Sequence, residues 1–273
     1  MFWRKRMKKI LAFALAATLA ASVFADSVDD VMRKMTGLNA PVTSASTLKM
    51  EFLDKNGNVT ETRAMRQFGM KDSNNLKKTI FYFDSPASVK GTRVLQVENK
   101  GKDDDKWAYE PSLRTTRQIA ASSRRSSFVG SDFTYNDMTV RKFEDDTNKM
   151  LDENASVTIL GKKYNCWKVE STPNKKDVEF TSRIIWVDKE TYLPMRIEFY
   201  DRKGMFKEWE TTGYRFVKGS DGKETYVLRN GAEVRNLRTG HGTRITVTKV
   251  EFDNDKSIKQ SYFTTNWLNT GKF

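Results

Sequence analysis

The sequence predicts a mainly β protein built as one antiparallel domain of the sandwich or barrel type. Three observations carry this. From Thr47 onward apolar residues recur at every second position, as in strands with one buried face. Turn signals such as Asn56-Gly57, Lys203-Gly204, Asp221-Gly222 and Asn230-Gly231 cut the chain into short runs, spaced by about 8–12 residues. Only five prolines occur in 273 residues and no Pro/Ser/Gly-rich linker divides them, so residues 26–273 read as a single domain.

Residues 1–25 read as an export signal. Arg4, Lys5, Arg6, Lys8 and Lys9 precede a short apolar run from Ile10 to Ala21, and Val23-Phe24-Ala25 offers a small-residue cleavage site. The run is shorter than the roughly 20 apolar residues of a membrane-spanning helix. No cysteine follows it, so a lipid-attachment site is not expected there. The mature chain is expected to begin near Asp26 and to be soluble in the periplasm.

Charge narrows the partners. The whole chain carries 48 Lys and Arg against 35 Asp and Glu, a net charge of +13, and removing the five basic residues of the leader lowers it to +8. A basic exported protein does not meet nucleic acid. Anionic lipid headgroups, an acidic partner or solvent are the counterparts left open. The single histidine, His241, stands between glycines as a turn residue, and the single cysteine, Cys166, sits in an apolar alternating run as a buried structural thiol. One of each nearly excludes His/Cys zinc sites and Cys–His pairs. Asp103-Asp104-Asp105 lacks calcium-loop spacing and reads as a solvated hairpin tip. No cofactor, no metal and no enzymatic activity are expected, since no G-x-S-x-G occurs either.

In chain order, Val28, Val31, Met32, Met35 and Leu38 stand at helical spacing behind Asp26 or Ser27 as N-cap, which predicts one amphipathic helix. Strands follow at Thr47–Asp54, Val59–Phe68, Lys77–Ser85, Gly91–Asn99, Lys106–Glu110 and Thr115–Ile119. After a break come Val157–Leu160, Tyr164–Ser171, Val178–Val187, Leu193–Tyr200, Phe206–Val217, Glu224–Arg235 and Thr243–Phe252. Several are short, and about ten or eleven strands are expected in all. Thr264 to Lys272 reads as an ordered tail ending on Trp267 and Leu268.

The break is the informative stretch. Residues 120–127 do not alternate and carry Arg124 and Arg125 among serines, and Phe128 to Asp137 reads as one or two helical turns with Ser131 as N-cap. Asp132 and Asp137 read as a cap and a loop anchor rather than a catalytic pair. With Arg114 and Arg117, the two arginines form a basic cluster suited to a lipid headgroup, to a partner, or to plain surface charge. One strand face is rich in large apolar residues: Met50, Phe52, Phe81, Phe83, Leu95, Val97, Trp107, Trp186, Ile197 and Phe199, with Phe128 and Phe133 in the break. Periodicity admits either a filled core or a cavity for an acyl chain lined by these twelve.

Several runs resemble the outer-membrane lipoprotein-sorting protein family, whose relatives are the LolA- and LolB-type carriers. They are Gly91-Thr92, Trp107-x-Tyr109-x-Pro111-x-Leu113, Phe128-x-Gly130-Ser131-Asp132-Phe133-x-Tyr135-x-Asp137, Trp186-Val187-Asp188, Leu193-Pro194 and Glu198-Phe199-Tyr200-Asp201. The resemblance implies an unclosed antiparallel β half-barrel wrapping a hydrophobic cavity, with an N-terminal helix and a central helical lid. It implies a monomeric, non-enzymatic carrier of lipoprotein or lipid acyl chains, with an inner-membrane exporter of the RND/MMPL type as a partner. A ligand-sensing regulator on the same fold is the alternative. The chain is longer and more basic than LolA-type carriers and lacks the lipid-anchoring cysteine of the LolB type, so phospholipid and glycolipid join lipoprotein as expected cargo.

Overall fold

The structure is a computed structural model and describes residues 26–254, 256 and 258–271. The export signal and its cleavage site lie outside the described residues. Helix α1 (Val28–Thr36) starts where expected: the Ser27 side chain caps the Asp30 amide, and Asp29 and Asp30 occupy the positive end of the helix dipole. Its Val31 and Met32 are buried.

Two up-and-down meanders follow. The first runs β1 (Thr43–Leu53), β2 (Val59–Lys71), β3 (Lys77–Ser85), β4 (Arg93–Val97), β5 (Asp105–Glu110) and β6 (Thr115–Gln118). The second runs β7 (Asp146–Ile159), β8 (Lys162–Pro173), β9 (Ser182–Asp188), β10 (Pro194–Asp201), β11 (Gly204–Lys218), β12 (Thr225–Asn236) and β13 (Gly242–Phe252). The first and last strands pair antiparallel, Met50 opposite Ile245, and weld the two meanders into one sheet. The order β6-β5-β4-β3-β2-β1-β13-β12-β11-β10-β9-β8-β7 leaves β6 and β7 at opposite, unpaired edges, so the sheet is not closed into a barrel. The strands number thirteen, one for each run marked in the sequence, so the expected total of ten or eleven is too low.

A flat sheet of this many strands would be about 58 Å across at 4.8 Å spacing. Yet Val94 and Ala108 near one edge belong to the same buried cluster as Trp167 and Val169 near the other. The sheet therefore curves around one inner face. Alternation sorts the two faces: Phe81, Val94 and Ala108 lie inward in register, while Ile80, Leu95 and Trp107 lie outward. The outer row is covered by the C-terminal tail, where a 3₁₀ turn (Gln260–Phe263) and helix α2 (Thr265–Thr270) bury Tyr262, Phe263, Trp267 and Leu268 against Phe68, Ile80 and Leu95. Thr264 caps α2 through the Trp267 amide.

The inner face is covered mainly by the β6–β7 connection. Because β6 and β7 sit at opposite edges, residues 119–145 must cross the whole inner face. This segment is not helical as expected. It holds two 3₁₀ turns (Ala121–Ser123 and Phe143–Asp145) and one bridge, Ser127 to Thr134. The reason is local. Val129 and Gly130 have φ of 50° and 81°, outside the right-handed helical region. Ser131 Oγ donates to the Phe128 carbonyl at 2.7 Å, and Asp137 accepts from the Thr134 amide at 2.7 Å, so side chains take the bonds a helix would need.

Candidate ligand trough and its lid

The crossing segment presses three rings into the trough. Phe128 and Phe133 are 0% and 1% exposed, and Tyr135 lies beside them. Phe128 stands edge-on to Phe81 with ring centres 5.2 Å apart, tilted against Phe83 at 5.9 Å and edge-on to Tyr135 at 5.5 Å. Phe133 meets Trp209 edge-on at 5.2 Å. These separations are those of favourable aromatic pairs. The apolar floor is therefore filled by the chain's own lid.

Eight of the twelve expected cavity residues meet here: Met50, Phe52, Phe81, Phe83, Phe128, Phe133, Ile197 and Phe199. Four do not. Leu95, Val97 and Trp107 belong to the outer cluster under α2. Trp186 sits between Ile185 and Val187, which point into the main cluster, and itself points into a third cluster with Leu193 and Met195. In a strand buried on both faces, the apolar pattern loses its period of two and leaves the inner residue unmarked.

Polar contacts hold the lid down, and most were not legible as site residues. Lys207 on β11 is 4% exposed and pairs with Asp137 of the lid at 3.0 Å and with Glu179. Burial opposes its charge, but the two carboxylates outweigh it and hold the pKa above the ordinary lysine value. Arg141 bridges to Asp146 at 2.8 Å, and the buried Arg183 reaches the same carboxylate at 2.7 Å. Arg63 on β2 donates to the Val129 carbonyl while lying 4.3 Å over the Phe52 ring. Thr243 donates to Asp132 at 2.7 Å. Lys106, 2% exposed, donates to the Tyr135 carbonyl at 2.7 Å and to Thr139 Oγ1 at 3.2 Å. Burial pushes its pKa down to about 8. One signal could have found Lys207 and Lys106: each occupies an inward position of an alternating strand, in step with Trp209 and Ala108.

The four arginines expected to form one cluster are not brought together. Arg114 lies in the β5–β6 turn with φ 49°, Arg117 is exposed on β6, and Arg125 is exposed in the lid beside Lys176 and Asp177. Arg124 is engaged by Asp103 at 3.3 Å and by the Asp104 carbonyl at 2.7 Å. Asp103 and Asp104 are thus not a free solvated tip. They receive Arg124, Lys142 and Lys175 and dock the two ends of the lid region. Asp132 and Asp137 both anchor the loop, Asp132 through Thr243 and Asp137 through Thr134 and Lys207, and there is no helix here for the expected cap to serve.

Cys166 is fully buried, and burial pushes its thiol up to about 12. His241 lines a surface concavity of about 340 Å³ at the Asp132 end of the trough, with Phe52, Glu61 and Gly130. Among the described residues no group of three His, Cys, Asp or Glu side chains could hold a metal, and no helix is long and apolar enough to cross a membrane.

Comparison with known proteins places this architecture. A family model described as that of an uncharacterized protein matches residues 75–270. The chain belongs to that family. The solved domain from Vibrio parahaemolyticus assigned to outer membrane lipoprotein sorting is 25% identical, with a TM-score of 0.75 over 90% of this chain and 99% of that one. A DUF1329 family protein from Desulfovibrio piger superposes with a TM-score of 0.76 at 24% identity, covering 89% of this chain and 98% of that one. A LolA superfamily protein from Nitrosomonas europaea gives 0.62 at 14% identity, over 88% and 99% of the two chains. The last two show the fold alone. The likeness to lipoprotein-sorting, LolA-like proteins read from the sequence holds. No curated protein matches the chain.

Proposed function

We propose that the protein is a periplasmic carrier that takes the acyl chains of a lipid or lipoprotein into its trough and passes them towards the outer membrane. The observation that carries this reading is the lid. The inner face of a large sheet is apolar, yet much of its cover is an irregular segment whose Phe128 and Phe133 rings fill it. Such a plug can be exchanged for an acyl chain without loss of apolar burial. The likeness to a domain assigned to lipoprotein sorting supports the same reading. An inner-membrane exporter of the RND/MMPL type is the proposed donor, and the protein acts without catalysis.

The energetics suit transfer. Burying sixteen carbons at roughly 0.8 kcal/mol per CH₂ supplies on the order of 10 kcal/mol. Exposing two buried phenylalanine rings, at about 2–3 kcal/mol each, consumes about half of it. The remainder is an affinity that a receiving membrane can outcompete.

The test is native mass spectrometry of protein purified from the periplasm without detergent, with lipid extraction of the same sample. A co-purifying phospholipid, glycolipid or acylated peptide is expected. A ligand-free mass combined with no uptake of a fluorescent fatty-acyl probe would overturn the carrier reading.

A further inference from the structure

The floor of the trough carries a short polar row beside its apolar one. Gln96 of β4 lies directly opposite Lys106 of β5 in register, and Thr79 of β3 faces Gln96 from the other side. Each stands two residues along its strand from Phe81, Val94 or Ala108, so the three share the inner face with them. Thr79, Gln96 and Lys106 are 6%, 3% and 2% exposed. Direct pairing on neighbouring strands sets the Cβ atoms of Gln96 and Lys106 about 5 Å apart, so one small group can touch both side chains.

The sheet satisfies neither of them. Gln96 has neither its amide nitrogen nor its amide oxygen bonded. Lys106 donates to two neutral oxygens, the Tyr135 carbonyl at 2.7 Å and Thr139 Oγ1 at 3.2 Å, and makes no ion pair among the described residues. The carboxylates that attract it are engaged elsewhere, Asp104 by Lys142 at 3.4 Å and Asp137 by Lys207 at 3.0 Å, while Arg124 repels it. Lys207, equally buried, has two carboxylates of its own. A buried ammonium without a counter-ion and a buried amide without partners are both costly, and they point to something that satisfies them. Both partners of Lys106 belong to residues 119–145, the segment that cargo would displace. The lid thus sets rings on the Phe81 row and a carbonyl oxygen on the polar row, the order in which an acyl chain with an oxygen-bearing head would lie. An anionic oxygen in place of that carbonyl supplies the missing counter-ion.

We propose that Lys106 and Gln96 bind the head of the acyl cargo when the lid lifts, and that this head is an anionic oxygen group, a carboxylate or a phosphate. The assignment rests on the carrier reading and extends it from the acyl chain to the charge of its head.

The test is competition against a fluorescent fatty-acyl probe on the mature protein at pH 7, with two matched pairs of lipids. One pair is oleate and oleyl alcohol, the other dioleoyl phosphatidic acid and dioleoylglycerol. Within a pair the chains are the same, so the cost of opening the lid cancels in the ratio of affinities. Wild type is expected to prefer the anionic member by about ten- to a hundredfold. Lys106→Met should abolish most of that preference, and Gln96→Leu, which keeps the lysine, should reduce it about fivefold. A preference in the oleate pair alone supports the site with a carboxylate head, and one in the phosphatidic acid pair alone supports it with a phosphate. Equal affinities within both pairs in wild type, or ratios unchanged in both variants, would overturn the head site and leave the carrier reading intact. No binding of the probe or of any of the four lipids overturns both.

Discussion

Replacing Phe128 by alanine separates a lid from an ordinary core. The ring is fully buried and touches Phe81 and Phe83 on β3 and Tyr135 in the lid. Removing a buried phenylalanine costs about 3–5 kcal/mol, and two of its neighbours are held by paired strands that cannot collapse far into the gap. In an ordinary core that cost falls on every folded state. In a carrier it falls on the empty, closed state alone, because an acyl chain takes the place of the ring. Cheapening lid opening by about 3 kcal/mol should tighten acyl binding roughly a hundredfold. The empty protein should at the same time melt about 6–12 °C lower. A fluorescent fatty-acyl titration and thermal melts with and without probe read both effects. A lowered Tm with unchanged or weaker probe binding would refute the reasoning, and Phe128 would be structural only.

Other outcomes follow from the buried charges. Lys106 titrates near 8 when folded against its ordinary 10.5, so the unfolded chain holds more protons between those values and wild-type stability should rise across that window. Lys106→Met should flatten this slope in urea melts taken from pH 7.5 to 10.5, and a parallel profile would show that the amine is not the titrating group. Lys207→Met leaves Asp137 and Glu179 buried without their cation, which should cost about 3–5 kcal/mol. The loss should appear as a lowered urea midpoint of the variant at pH 7. A urea midpoint equal to that of wild type would argue against the network. Cys166, buried and with its thiol near 12, should resist thiol reagents at pH 8 until the protein is unfolded. Stoichiometric labelling of the native protein would contradict that burial.

Much of the fold is written in local pattern. The Ser27 cap and the spacing of Val28, Val31, Met32 and Met35 mark α1, and the limits expected for Lys77–Ser85 coincide with β3. The Asn56-Gly57 turn joins β1 to β2, with Gly57 at φ 84°. Turn chemistry and period-two alternation act over a few residues, so they survive in a one-dimensional reading. The same is true of the tail that ends on Trp267 and Leu268, although its docking against Ile80 and Leu95 is not local.

What only the tertiary structure decided is which face each residue meets and what covers it. Phe81 and Leu95 look alike in sequence, yet the register Ile80 to Leu95 sends Leu95 outward under α2 and leaves Phe81 beneath the lid. The pairing of β1 with β13 is a contact between chain ends. It alone sends β6 and β7 to opposite edges and forces residues 119–145 across the trough. The lid's latches to Lys207, Lys106 and Arg63 depend on that crossing and on the curvature of the sheet. The sequence by itself determined the strands, the turns, the first helix and the family likeness, because those rest on neighbouring residues. The curving of the sheet and the filling of the trough were left to the tertiary structure, because they join residues far apart in the chain whose own neighbours carry no sign of it.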